Sequence, residues 1–246
     1  MTRNSSTKGK SKHREQSQIR GIRDLSRATI CSSLLSSSLV SAAPSLMEVY
    51  VVKVSLLGIR PPVWRRILVP RETTLRNFHR TLQTVMGWTN AHLHQFVLPG
   101  PGNFGFGGPG AKVGNENKTT LGALLEFPGA KLLYEYDFGD CWQHELVLER
   151  VLVGDESFRE MCVAGERRCP PEDSGGPQGY AELLKAFAQE THPEHSSVRE
   201  WLGDDFAPWS FELDDINRSL RRRRGRRSAG STGAHPRQAR IRSKHS

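Results

Sequence analysis

Three histidines and two aspartates of this chain, His92, His94, His144, Asp137 and Asp140, have the side chains that divalent-metal chemistry needs. Neutral imidazoles and carboxylates ligate zinc or manganese. A metal held by them lowers the pKa of a bound water and makes it a nucleophile, the basis of a metal-assisted hydrolase or nuclease. His92 and His94 stand two apart in AHLHQFVL, which puts both on one face of a predicted strand. Asp137, Asp140 and His144 fall within YEYDFGDCWQHELVLE, residues 134–149. If the two stretches are neighbours in a sheet, three imidazoles and an aspartate converge. Cys162 and Cys169, in CVAGERRC, are further candidate ligands. They lie further apart than the two to four residues inside a zinc knuckle, so they need His or acidic partners. A divalent metal is the one cofactor these residues suggest.

The second stretch also reads as a hairpin. With Gly139 and Asp140 as central turn residues, Asp137 faces Trp142, Glu135 faces His144 and Leu133 faces Leu146. One face then carries Asp137, Glu135, Trp142 and His144, and the other Tyr134, Tyr136, Phe138 and Cys141. A three-residue loop reverses the pairing. On the first register, three readings stand side by side. One is a set of cross-strand pairs that stiffens a hairpin. Another is a binding cleft with aromatic walls and orienting acids. The last is a metal or acid–base site.

Two apparent motifs lack their context. Residues 105–110, GFGGPG, match the dinucleotide glycine pattern, but a proline and a polar loop follow where a helix N-terminus has to meet the pyrophosphate. Asp137-Phe138-Gly139 spells the kinase metal motif without its partner lysine or catalytic loop.

The elements that must position these side chains follow from periodicity. EVYVVKVSLLGI, from residue 48, is β-branched and sets Tyr50, Val52, Val54 and Leu56 on one face. VWRRILVP, ending at Pro70, completes a hairpin with it. TTLRNFHRTLQTVMGW changes period: Leu75, Phe78, Leu82 and Val85 form a helical stripe, Thr73 or Thr74 caps it, and Gly87 closes it. HLHQFVL returns to a strand, and a short Leu-rich turn sits at 121–127. Beyond 153 the chain reads as loop and then three helices: GYAELLKAFAQE, the run 196–202 stopped by Gly203, and SFELDDINRSL capped by Ser210. Strands first and helices last imply an α+β fold, a single compact domain with helices packed on a mixed or antiparallel sheet.

Charge divides by position. Residues 1–45 hold eight Lys/Arg and two Asp/Glu, residues 221–246 hold ten and none, and residues 46–220 hold seventeen and twenty-four. The basicity belongs to the ends and the body is acidic. The ends, 1–46 and 221–246, are expected to be disordered, since they lack apolar surface to offset their ordering entropy. Met47 directly precedes the first strand, so the stretch before it reads as a possible over-extended start. Arg221, Arg222, Arg223, Arg224, Arg226 and Arg227 begin where the last predicted helix stops and suit either a helix C-terminus or a polyanion. Four cysteines are too few for a disulfide scaffold, and no apolar run is long enough to span a membrane. Serines interrupt the apolar run 29–43 too often for a secretory core. The expected location is the cytoplasm.

GIRPPVWRRILVP, MGWTNAHLHQF, YEYDFGDCWQHELVLE, CVAGERRCPPEDSGGPQGYAELLKA, WLGDDFAP and FELDDINRSL, in that order over 48–220, resemble the plasmid pRiA4b Orf-three-like family. The resemblance implies a compact α+β domain, plasmid- and transposon-associated. It places signature positions at Pro62, Trp64, Arg65 and Arg66, at His92, His94 and Gln95, at Asp137, Gly139, Asp140, Trp142 and His144, and at Cys162, Gly165, Cys169, Pro170, Pro171, Glu172, Asp173, Gly175, Gly176 and Pro177. Relatives commonly carry a third cysteine where this chain has Ser174, which weakens a thiolate-rich metal site. Some relatives bear a transposon-resolvase label, but no catalytic serine amid arginines and no helix-turn-helix module is recognisable here. The binding-cleft candidates are therefore Trp64, Arg65, Arg66, Asp137, Asp140, Trp142, His144, Glu172 and Asp173, with Glu172 and Asp173 in a rigid acidic PPED loop. The reading is a non-enzymatic interaction module whose partner is a protein or nucleic acid. The alternative is the metal-assisted hydrolase or nuclease.

Overall fold

The computed structural model describes residues 23–24, 45–99, 111–203 and 205–230. The glycine loop 100–110 and the remaining terminal residues lie outside the described residues, and the expectations made for them with it.

The β-branched run forms β2 (Leu46–Leu56), antiparallel to β3 (Trp64–Pro70), after the two-residue β1 (Arg23–Asp24). α1 (Leu75–Met86) follows, with Thr74 Oγ1 accepting from the Asn77 amide and Gly87 in the left-handed region at φ 83°. Then come β4 (His94–Leu98), β5 (Ala111–Lys112), a 3-10 turn at Leu121–Ala123, β6 (Lys131–Tyr136), β7 (Trp142–Asp155) and β8 (Met161–Glu166). α2 (Gly176–Ala188), α3 (His195–Leu202) and α4 (Leu213–Gly230) end the described chain. The strands make one eight-stranded antiparallel sheet in the order β5-β4-β6-β7-β2-β3-β8, with β1 paired to β7. The fold is α+β in a single domain. Among the described residues no helix is long and apolar enough to cross a membrane.

Alternation along β2 creates two apolar layers. Tyr50, Val52, Val54 and Leu56 meet Phe78, Leu82 and Val85 of α1, Tyr180 and Phe187 of α2, and Leu220 of α4 in the main core. Val49 and Val51 face the other way and join Leu68, Leu152 and Val163 in a smaller cluster to which, among the described residues, no helix contributes.

Three expectations are corrected. β8 falls where loop was expected, because MCVAGE shows no alternation; it is built on β3, with Asn217 of α4 clasping the Cys162 backbone at both N (2.9 Å) and O (2.8 Å). The last helix does not stop at Leu220 but runs to Gly230. Arginine is a good helix former, and Arg223 is tied to the body through Thr81 Oγ1 at 2.8 Å and an ion pair with Glu160. Ser210 does not cap that helix; its hydroxyl donates to the Ala207 carbonyl.

A further correction is the hairpin register. Tyr136 pairs with Trp142, Tyr134 with His144 and Glu135 with Gln143. The loop holds five residues, closed by the Cys141 amide donating to the Asp137 carbonyl at 2.6 Å. Asp137 and Cys141 both adopt left-handed backbone, at φ 59° and 54°. Aspartate tolerates that region when its carboxylate bonds locally, and Asp137 Oδ1 accepts from the Gly139 (3.0 Å) and Asp140 (3.3 Å) amides. The one-residue shift buries Tyr134, Tyr136, Trp142 and His144 together and leaves Glu135 on the other face.

Candidate functional site

Three segments meet at the β6–β7 turn: the loop after α1, the turn itself, and the segment 168–176 that leads into α2. Tyr136 is the hub. Its hydroxyl accepts from the Ala91 (3.0 Å) and His92 (3.3 Å) amides and donates toward the Glu172 carboxylate at 3.1 Å. Burial pushes this phenol up to about 12, so it stays a donor across the ordinary pH range. Glu172 also accepts from the Thr89 amide (2.7 Å) and hydroxyl (3.1 Å). The Trp88 indole donates to the Pro170 carbonyl at 2.9 Å and stacks on Tyr136. On the other side, Asp140 Oδ2 accepts from the Gly175 amide at 3.0 Å. A Cβ on Gly176 would lie 2.4 Å from the Asp140 carbonyl oxygen, and Gly176 has φ +67°, so this close approach requires glycine.

His92 stands at the junction. Its Nδ1 is 3.6 Å from Asp137 Oδ2, and its Nε2 is 3.2 Å from Asp173 Oδ1 and 3.6 Å from Glu172 Oε2. Donor atoms of His92, Asp137 and Asp173 all lie within 4.8 Å of one another. The Asp137 side chain is 10% exposed and that of Asp173 73%, so the cluster has a buried floor and an open lip.

The structure does not bring the other expected ligands here. β4 begins at His94, so His92 sits in the loop before it and the two do not share a strand face. His94 Nε2 contacts Glu116 at 2.9 Å, and its ring stacks on His79 at 3.5 Å. His79 was missed in the sequence. Its Nε2–H donates to Asn90 Oδ1 at 2.6 Å, and its Nδ1 accepts from the Tyr134 hydroxyl at 2.8 Å. Burial first, and then the adjacent His94, push His79 down to about 4. The helical spacing of His79 gave no sign of this network, whose partners come from β6 and a left-handed Asn90. His144 is fully buried. Its Nδ1 faces the Tyr134 carbonyl at 3.3 Å, the Trp88 ring meets it edge-on, and burial pushes it down to about 4. Its Nε2 and the Trp142 indole nitrogen are buried without hydrogen-bond partners. Cys162 and Cys169 are buried thiols away from the histidines. Burial pushes Cys162 up to about 11 and raises Cys169, so both stay protonated.

Beside the cluster, and sharing Glu172 and Asp173 with it, lies a cleft of about 690 Å³. Its walls come from the end of α1, from Arg168–Pro171, and from Trp201, Phe206, Phe211 and Glu212 around α3 and the start of α4. Arg65 lies at its base, 3% exposed. That guanidinium is held by the carbonyls of Val85 (3.0 Å), Trp64 (2.8 Å) and Glu166 (3.0 Å), by Cys169 Sγ (3.1 Å), and by the Phe211 face. Trp64 and Arg66, expected beside it, point to the opposite sheet face. There Trp64 donates to Glu166 and Arg66 pairs with Glu149 at 2.6 Å. Trp142 and His144 belong to the core beneath rather than to the cleft.

The family model described as plasmid pRiA4b ORF-3-like protein matches residues 48–215. The chain belongs to that family. The match takes in all three segments that meet around Tyr136. Within the curated relatives, the chain is 35% identical over 175 residues to the uncharacterized protein y4hQ of Sinorhizobium fredii, covering 69% of this chain and 89% of that one. Among solved structures it resembles MM3350 of Methanosarcina mazei, a protein of unknown function. The identity is 39% and the TM-score 0.62, over 70% of this chain and 98% of that chain.

Proposed function

We propose that this family member is an interaction module that takes a cationic, arginine- or lysine-bearing peptide segment in the cleft beside Tyr136. The observation that carries the reading is the cleft's composition. Glu172, Asp173, Glu212 and Asp215 line it with Trp201, Phe206 and Phe211. Of its two arginines, Arg65 already donates to three carbonyls and a thiol. Acids orient a cationic head, and aromatic faces attract it and cover its aliphatic stem. Trp201 is 53% exposed at the rim, with surface to give to a partner. Tryptophan fluorescence tests this. Arginine-containing peptides should quench saturably while glutamate-containing peptides do not, and Glu212→Gln or Trp201→Ala should weaken the response tenfold or more. Equal response to both peptide classes refutes it.

The basic C-terminal residues support a second contact, with nucleic acid, by charge alone. Arg223 is committed to Glu160 and Thr81, while Arg221 and Arg222 are exposed. Removal of 221–246 should abolish most salt-sensitive DNA retention; unchanged affinity overturns this arm.

A further inference from the structure

We propose that His92, Asp137 and Asp173, with Glu172 as a fourth donor, form a binding site for a divalent transition cation, Mn²⁺ or Zn²⁺. The site differs from the ligand set that strand periodicity suggests. It uses one imidazole and carboxylates from three chain segments, and it excludes His94, His144 and both buried cysteines. His92 and Asp137 lie outside the cleft lining, while Glu172 and Asp173 belong to both.

Three observations carry it. First, the donors are gathered without a counter-charge. Asp137, Glu172 and Asp173 crowd one imidazole, and among the described residues no lysine or arginine pairs with them. Carboxylates brought together this way repel one another, and a cation between them removes the repulsion.

Second, His92 Nε2 is sealed from solvent and has no hydrogen-bond partner, although Asp173 Oδ1 is 3.2 Å away and Glu172 Oε2 3.6 Å away. The contacts are close without the direction of a hydrogen bond. These two Nε2 edges are near the roughly 3.4 Å between ligands of a four-coordinate ion with bonds of about 2.1 Å, while Asp137 Oδ2 stands beside Nδ1 and the three donors fall within 4.8 Å of one another. An imidazole among carboxylates selects Mn²⁺ or Zn²⁺ over Mg²⁺ and Ca²⁺, which take oxygen.

Third, the site is braced from outside. Asp137 spends only Oδ1 on the turn amides, leaving Oδ2 toward His92. Glu172 is fixed by Thr89 and Tyr136, and the His92 backbone hangs on the same Tyr136 hydroxyl. Oriented outer contacts of this kind hold ligands in place before a metal arrives. Asp173 is largely exposed and can swing in to complete the set.

The test uses the purified full chain stripped with chelator. MnCl₂ and ZnCl₂ are titrated by calorimetry, the free-Mn²⁺ resonance signal is followed, and the melting temperature is read with and without metal. The expected result is one ion per chain with a raised melting temperature. Asp173→Asn, an exposed change that leaves the fold intact, and His92→Ala should each weaken binding tenfold or more, while His94→Gln should not. If His92→Ala fails to fold, Asp173→Asn alone decides. No saturable binding at 100 µM metal, about the weakest affinity worth calling a site, overturns the proposal. So does equal binding by wild type and Asp173→Asn.

Discussion

Acid should weaken this fold through His144, and the size of the effect follows from where the ring sits. The imidazole is fully buried against Trp88 and Tyr134, and burial holds it down to about 4 against an ordinary 6.5. A base whose folded pKa is lowered stays neutral in the native state while the unfolded chain takes up a proton. The stability it contributes is complete above pH 6.5, falls between 6.5 and about 4, and is flat below. The gap is about 2.5 pH units, worth about 3 kcal/mol in full, and about 2 kcal/mol of this is lost by pH 5. His79, also held down to about 4, acts in the same direction over the same window. Urea unfolding at pH 7.5 and at pH 5 measures it, in a range where most carboxylates remain ionised in both states. His144→Phe keeps a ring beside Trp88 and removes the titrating group. The wild type should lose about 2 kcal/mol more than His144→Phe between the two pH values. If both lose the same amount, His144 is not a buried neutral base and the reasoning fails.

Gly176→Ala should destabilise by about 1–3 kcal/mol, read as a lower urea midpoint, because the new Cβ meets the Asp140 carbonyl oxygen 2.4 Å away on a left-handed backbone; an unchanged midpoint shows that the loop and turn are not locked together. Arg223→Ala should cost about 1 kcal/mol by removing a half-buried ion pair with Glu160 and a bond to Thr81. Amide exchange over 221–230 should then speed up while α1 keeps its protection, and uniform exchange in the two proteins contradicts the bracing of α4.

What could be read from the sequence was what local chemistry decides. The alternation of β2 and β3, the stripe and both caps of α1, and the stop at Gly203 all appear where residue type demands them. Failures came where one residue's backbone conformation or a distant partner decides. Asp137 and Cys141 in the left-handed region make the loop five residues, an odd count that inverts the β6–β7 register, and no side-chain pattern announces it. The arginine run looks like a solvated tail until Glu160, 63 residues away, is known to hold Arg223. His92 and His94 share a face only if the strand starts two residues earlier than it does. At the site, Asp137, Glu172 and Asp173 were named as candidates, and His92 was expected to be a ligand. Their meeting was not legible, because it depends on Tyr136, which the expected register had turned away from them.

That dependence on one phenol has a consequence for how the site works. Tyr136 is buried in the sheet, yet its hydroxyl sets the position of both His92 and Glu172. Glu172 and Asp173 in turn face the imidazole on one side and the cleft on the other. On the two proposals together, a cation at His92 neutralises acids that a positively charged cleft ligand needs, and each should weaken the other's binding by the same factor. The cleft and the His92 cluster share Glu172 and Asp173, and the contacts around Tyr136 hold Glu172 facing both; manganese titrated against an arginine peptide should therefore displace it, and additive binding of the two refutes the coupling.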